Sequence, residues 1–357
     1  MHIVIEFKPM LVLQEELNVS DRPIGICLIG AGRAGMIHAM NYRNKVDGAV
    51  IAAVADPYEA ACQKACERLG IGRYYTDYTK ALGQDDIDAV IVASPTKFHK
   101  EIVTAAAEAG KHILCEKPMA MDESECDDMI EAAERGGVIL QLAFMRRFDE
   151  SFMAAKKAID SGAIGDIVHI RSLTRGPSKP HEWMYDIEKS NGPLAEVSSH
   201  DIDCIRWLAG SELTEIYAVA GNYRNREIAA TWPDFYDNVV MTGRFANGVL
   251  VTVEGAQYVK YGYDARVEVL GTEGVIHIGR QDAYGLQIIN KEKGIHTPFV
   301  TSWTELFKQA YLSEDMHFAQ CVGTGGAPRV TGLDGKMAVR IVNAGNRSIK
   351  EDKIIQL

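Results

Sequence analysis

Lys117 stands between Glu116 and Pro118, directly after the apolar run Ile113-Leu114-Cys115. An ammonium at the end of a buried strand points into a crevice, where it can hydrogen-bond a substrate oxygen and stabilise a developing alkoxide. Further along, Glu196 and His200 stand at i and i+4, which places them on one face of a helical segment. A carboxylate and an imidazole so arranged can meet one hydroxyl. Histidine titrates near neutrality, so His200 is the candidate general base. Taken singly, each residue has a plainer reading: a rim lysine, a helix-start acid favoured by the dipole, a core histidine.

A second constellation lies upstream. Gly30-Ala31-Gly32-Arg33-Ala34-Gly35 has the G-x-G-x-x-G spacing, follows the apolar run Ile24–Ile29 and opens a helical pattern. Such glycines permit a tight turn, close approach to a pyrophosphate and close helix–strand packing, while the helix N-terminus supplies N–H donors. A nicotinamide dinucleotide is the implied cofactor. Asp56 ends the next strand, where a carboxylate accepts both ribose hydroxyls of NAD and repels the 2′-phosphate of NADP. NAD is therefore preferred, although Asp56 could also serve as a plain N-cap. Arg33 is either a phosphate contact or a solvated side chain. Ser94, Pro95 and Thr96 end a later strand on the cofactor side of the sheet, and His99 either joins them or faces solvent. With Ala34, Glu116 and Lys117, these residues make up the expected cofactor site.

The elements that must position these groups follow from periodicity. From Ile24 to Ala143, apolar strands at 24–29, 50–55, 89–93, 112–115 and 138–143 alternate with helical stretches at 36–45, 57–69, 97–109 and 122–135. That alternation predicts a parallel, doubly wound sheet. Gly70, Gly110 and Gly136 are expected to close helices in the left-handed conformation. After Phe144 a helix from Asp149 to Asp160, a strand from Ile167 to Leu173 and a long polar loop lead into successive strands between Glu212 and Ile289. Asn247-Gly248 reads as a two-residue hairpin turn within them. The expected organisation is an N-terminal arm (1–22), a Rossmann-type α/β domain (23–144) and an α+β substrate and assembly domain (145–357) with a mostly antiparallel sheet. The arm can pack on a neighbouring subunit or fray.

The chain has 357 residues, a net charge of −11, 47% hydrophobic residues and seven cysteines. The negative balance argues against a nucleic-acid partner, which needs clustered Lys and Arg. No run approaches the ~20 apolar residues that a membrane span needs. The cysteines include no CxxC pair, so neither a zinc knuckle nor a disulfide framework is indicated, and a reducing cytoplasm is expected. Cys62 and Cys66 share a helix face and read as packing. No second histidine at ligand spacing joins His200, Asp201 and Asp203, so no metal is expected.

Together, the glycine fingerprint, Ser94-Pro95-Thr96-x-x-His99, Glu116-Lys117-Pro118, Phe144-Met145-Arg146-Arg147-Phe148-Asp149, Glu196-x-x-x-His200-Asp201-x-Asp203, Tyr261-Gly262-Tyr263-Asp264 and the closing Gly332-Leu333-Asp334-Gly335 resemble the Gfo/Idh/MocA oxidoreductases. The resemblance runs from about Ile24 to the C-terminus and is greatest to inositol 2-dehydrogenase-like members. It implies an open-faced second sheet, substrate held between the domains, and homo-oligomers, often tetramers, formed through the exposed sheet face. It also implies that Lys117, Glu196 and His200 serve catalysis. Arg147, Tyr261, Tyr263 and Trp183 are expected to line the substrate site, with Trp183 and Tyr185 able to stack on a sugar face or to pack on a neighbour.

Three positions depart from the family pattern. Asn191-Gly192 and Glu196 stand where a Gly-Gly pair and an aspartate are usual, and Arg175-Gly176-Pro177 stands where inositol-type members have Arg-Asp-Pro. One substrate contact is thereby lost and the acid is longer by a methylene. The expected reaction is NAD-dependent oxidation of a secondary hydroxyl on a cyclic polyol or sugar. The alternatives are a sugar-modifying enzyme that uses tightly bound NAD for transient oxidation, and a non-catalytic NAD sensor, which would need neither Lys117 nor His200.

Overall fold

The computed structural model describes residues 22–283, 286–292 and 294–357. Of the expected N-terminal arm, only Arg22 falls among them.

Six parallel strands form the first sheet: β1 (Ile24–Ile29), β2 (Ala49–Ala55), β3 (Tyr74–Tyr75), β4 (Ala89–Val92), β5 (His112–Cys115) and β6 (Leu140–Leu142). Their spatial order is β3-β2-β1-β4-β5-β6, so the connections reverse direction between β1 and β4. At such a switch point the carboxyl ends of the strands open a crevice. The helices α1 (Arg33–Asn44), α2 (Glu59–Leu69), α3 (Tyr78–Leu82), α4 (His99–Glu108) and α5 (Glu123–Gly136) connect the strands. All four residues of β4 are fully buried, which is why it reads as an unbroken apolar run.

Gly70 and Gly110 take positive φ as expected, but Gly137, not Gly136, holds the left-handed position after α5. Gly136 is still helical, and a Cβ there would stand 2.5 Å from the Ala107 carbonyl oxygen. Its requirement is close contact with α4, not backbone handedness.

The second half begins with α6 (Glu150–Asp160) and β7 (Ile167–Gly176). The polar loop that follows contains α7 (Ile187–Ser190) and α8 (Gly192–Glu196), and α9 (Ser199–Ala209) comes next. Strands β8 (Leu213–Gly221), β9 (Asn238–Phe245), β10 (Leu250–Gln257), β11 (Asp264–Gly271) and β12 (Val275–Ile278) follow, then the hairpin β13 (Ile288–Asn290) and β14 (Gly294–His296). The chain closes with α10 (Trp303–Leu306), α11 (Lys308–Thr324), α12 (Gly332–Glu351) and β15 (Ile355–Gln356). The large sheet has the order β12-β11-β7-β10-β9-β8-β15, antiparallel except where β7 meets β10. Asn247-Gly248 does join β9 to β10, with Gly248 at φ +89°.

Side chains alternate along this sheet. Val251, Val253, Val267 and Val269 are buried, while Val240, Leu250, Leu270 and Val275 face outward. Helices α9 and α12 cover the inner face, and α12 also packs against α5 and β6. One long helix therefore fastens both sheets. A capping box at Thr331 and Asp334 starts it. Among the described residues no helix is long and apolar enough to cross a membrane.

Candidate active site

The three fingerprint glycines answer to different constraints. Gly30 sits at φ +101°, and a Cβ there would lie 2.6 Å from the Ala93 carbonyl. A Cβ on Gly35 would come within 2.3 Å of the Gly30 oxygen, whereas one on Gly32 would meet nothing within 4 Å. The outer pair is demanded by packing, and the middle one opens onto free space. Gly32 starts α1 without a side-chain cap, and no acid lies in the first turn. That leaves main-chain donors facing an open concavity, the arrangement a pyrophosphate fills. Ala34 lies in the same first turn.

Asp56 is held beside this loop. Its Oδ2 accepts the Ala31 N–H at 2.9 Å and its Oδ1 accepts the Tyr58 N–H at 3.0 Å. The carboxylate therefore turns toward the glycine loop at the end of β2, where a ribose is recognised. Ser94 presents a buried hydroxyl with no partner among the described residues. Pro95 is exposed and Thr96 buried at the turn that follows. Arg33 is exposed but not simply solvated, since its guanidinium lies 5.2 Å from the centre of the Trp303 ring.

Two expected cofactor residues turn inward. His99 is buried rather than facing solvent, with Nε2 2.8 Å from the Ser94 oxygen and Nδ1 3.0 Å from the Pro118 oxygen. It ties the Ser94 turn to the Lys117-Pro118 turn. Glu116 is also buried. Its Oε1 lies 3.2 Å from His38 Nε2, and its Oε2 accepts the Lys117 main-chain N–H at 3.0 Å. Both residues hold the cofactor-side loops from behind.

Lys117 donates its ammonium to the Glu196 main-chain oxygen at 3.0 Å. The acid contributes its backbone to this contact, not its carboxylate. Glu196 ends α8 and His200 lies in the first turn of α9, so a break at Val197-Ser198 interrupts the expected continuous helix. Burial raises the Glu196 carboxyl above the usual range, with Lys117 opposing and Glu116 adding to the rise. Burial, then Lys117 and Arg146, hold His200 well below the usual histidine value. Its Nδ1 is buried and without a partner among the described residues, and Phe144 meets the ring edge-on at 5.9 Å. A neutral imidazole beside an ammonium is a competent proton acceptor.

Arg147 is engaged by two carboxylates. It makes a two-pronged pair with Asp203, at 2.6 and 2.9 Å, and a third bond to Asp334 at 2.8 Å. Its expected substrate role gives way to fastening the turn at 145–148 onto α9 and α12. The adjacent Arg146, which sequence reasoning passed over, is fully buried. It bonds Asp201 at 2.9 Å and Thr174 at 2.6 Å, and its charge bears on His200. The signal was present: two adjacent arginines match an Asp-x-Asp on α9, whose carboxylates diverge because i and i+2 lie on different helix faces. Asp201 and Asp203 are thus both committed to arginines, and no metal-type cluster occurs among the described residues. Tyr263 is buried, while Tyr261 is exposed and donates to Asp264 at 3.2 Å. Trp183 is exposed in the turn Glu182–Tyr185, and Tyr185 packs on Phe235.

Comparison with known proteins accounts for this assembly. Residues 24–144 match the oxidoreductase family NAD-binding Rossmann fold of the Gfo/Idh/MocA group, and residues 152–277 match its C-terminal domain. The chain belongs to the Gfo/Idh/MocA family. It is accordingly an NAD-binding oxidoreductase. Among relatives within the family, it is 32% identical to a myo-inositol 2-dehydrogenase of Thermotoga maritima, across 93% of this chain and 98% of that one. It is 33% identical to the scyllo-inositol 2-dehydrogenase (NAD+) of Bacillus subtilis, across 94% and 97% of the two chains. The crystal structure of a Lactobacillus casei scyllo-inositol dehydrogenase with bound NAD(H) and scyllo-inositol superposes with a TM-score of 0.86. That protein is 28% identical, with 94% of this chain and 99% of that one covered. The open concavity at Gly32, the Asp56 carboxylate and the unpartnered Ser94 hydroxyl offer donors and an acceptor that such a cofactor can use.

Proposed function

We propose that this protein is an NAD-dependent dehydrogenase that oxidises a secondary hydroxyl of a cyclic polyol or sugar to a ketone, with inositols the first candidates. The observation that carries the reading is the Lys117 ammonium, fixed 3.0 Å from the Glu196 main-chain oxygen, next to a neutral His200. His200 takes the hydroxyl proton, directly or through water. Lys117 stabilises the negative charge that develops on the oxygen. Glu196 orients the substrate from the same turn. Bound NAD supplies the acceptor for the hydride that leaves the carbon. The inositol specificities of the relatives support the substrate class. Gly176, in place of an acid, and the longer Glu196 support a polyol set differing in detail from myo-inositol.

The test is NADH absorbance with NAD or NADP against inositols, free hexoses and glycosides. NADH from one stereochemical group establishes the dehydrogenase. Absence of NADH from protein that retains bound cofactor would favour transient internal oxidation instead. We further propose that copies assemble, as a homotetramer, through the outward face carrying Val219, Val240 and Leu250.

A further inference from the structure

Behind the Lys117 turn lies a buried charge chain that the chemistry above does not use. His38, on α1, is fully enclosed. Its Nδ1 is 2.6 Å from Asp315 Oδ1, and its Nε2 is 3.2 Å from Glu116 Oε1. Neutral imidazole carries one N–H, and two carboxylates offer only lone pairs. Both contacts are satisfied together when the ring is an imidazolium. Asp315 is itself pinned, its Oδ2 accepting from Asn41 at 2.8 Å and its main-chain oxygen from Tyr42 at 2.9 Å. Tyr311 closes the ring edge at 5.3 Å. Burial opposes charge on His38, but Asp315 and then Glu116 override it and hold the imidazole well above its usual range. The neighbouring Glu314, buried with neither oxygen partnered among the described residues, is pushed up by that burial and keeps its proton. The enclosed charges are then two carboxylates and one imidazolium.

The far end of this chain reaches the reaction centre. Glu116 turns one oxygen to His38 and the other to the Lys117 N–H. We propose that the Asp315–His38–Glu116 chain is a positioning device for Lys117, joining the cofactor helix α1, the strand end that carries the lysine, and α11 of the second half. Without the imidazolium, Glu116 would be a buried anion opposed by the Lys117 charge alone. It would tend to protonate or move, loosening its hold on the Lys117 backbone. His38 and Asp315 touch neither substrate nor cofactor in this scheme, and act through Glu116.

This inference rests on Lys117 being the working cation, so the experiment includes Lys117→Ala beside His38→Gln and Asp315→Asn. NAD-dependent oxidation of myo- and scyllo-inositol and calorimetric NAD binding are measured on the full chain. In the His38 and Asp315 variants kcat is expected to fall by on the order of 10- to 100-fold, from displacement of the lysine alone. KM and the NAD Kd stay within about twofold, a split that a loss of general stability would not produce. Unchanged kcat in both variants, with Lys117→Ala inactive, overturns the positioning role. A fully active Lys117→Ala overturns the reading of Lys117 instead. Nitrogen NMR of 15N-histidine-labelled wild-type protein gives an answer that needs neither substrate nor a folded variant. At about pH 8 both ring nitrogens of His38 should be protonated, against an ordinary histidine already neutral there. A neutral His38 ring overturns the proposal.

Discussion

The Lys117 ammonium is held by the Glu196 carbonyl, so a residue at the end of β5 is aimed by the last turn of α8. The lysine is thereby fixed from two directions, through its own N–H by Glu116 and through its ammonium by the opposite half of the molecule. This geometry makes the cation a fixed charge rather than a mobile one, and electrostatic catalysis depends on that. Replacing Lys117 by Ala should lower kcat/KM by on the order of a thousandfold, and Lys117→Arg should not restore it, because a planar guanidinium cannot occupy a site shaped for a compact ammonium. Steady-state kinetics with the substrate found in the panel check both outcomes.

His200 is kept neutral first by burial and then by the charges of Lys117 and Arg146. The acid limb of kcat/KM should therefore lie below the ordinary histidine value of ~6.5. His200→Asn should remove that limb and lower the rate by on the order of 100-fold or more. A limb at or above the ordinary value would show that another group is the base.

Asp56 sets a carboxylate at the glycine loop, where it accepts the Ala31 N–H. Asp56→Ala should weaken NAD binding by on the order of 10-fold and narrow the preference over NADP, since a charge-assisted contact goes and a repulsion goes with it. Calorimetric titration with both cofactors decides it.

Arg147 is now assigned to Asp203 and Asp334. Arg147→Met leaves the Asp203 carboxylate buried without its partner, and should cost roughly 3–5 kcal/mol in urea unfolding. If the residue has no substrate contact, KM of the folded variant stays within about twofold of wild type. A large rise in KM with little loss of stability would return Arg147 to the substrate site.

Acid should loosen the fold through histidines that are held neutral. His317 is pushed down to about 4, by burial and then by Arg329. Its Nε2 accepts the Arg329 main-chain N–H at 3.0 Å, a bond that protonation destroys. The unfolded chain binds this proton at ~6.5, so stability falls as pH drops from there toward the folded value. His200 contributes with the same sign, and His38, whose value is raised, with the opposite one. Thermal melts across this range should show a declining midpoint, and His317→Gln should flatten the decline.

On the open face, Val240 lies across from Val219 on β8 and Glu254 on β10. Val240→Arg should split the proposed assembly into smaller species, read by light scattering after size exclusion, without loss of secondary structure.

Parts of this architecture were legible because burial and sequence pattern coincide. β1 and β5 appear with the expected bounds, since strands buried on both faces are unbroken apolar runs. β3 has two residues and α3 five, too short for periodicity to register. The helix α11 was not anticipated for a more informative reason. Its buried side includes Glu314 and Asp315, so the apolar stripe that marks a helix is interrupted by the residues that hold His38. The glycine loop and Lys117 could be named from spacing alone. That Lys117 meets a carbonyl, that His99 and Glu116 turn inward, and that Arg147 serves Asp203 depend on contacts between distant segments, which spacing does not encode.

Arg33 rests over Trp303, which sets beside the glycine loop an indole whose emission depends on what lies next to it. The chain has four tryptophans, and this one faces the glycine loop across the two halves. A nucleotide phosphate arriving at Gly32 would compete for the guanidinium and change the surroundings of the ring. Trp303 emission is therefore expected to change on titration with NAD, a readout that needs neither label nor turnover.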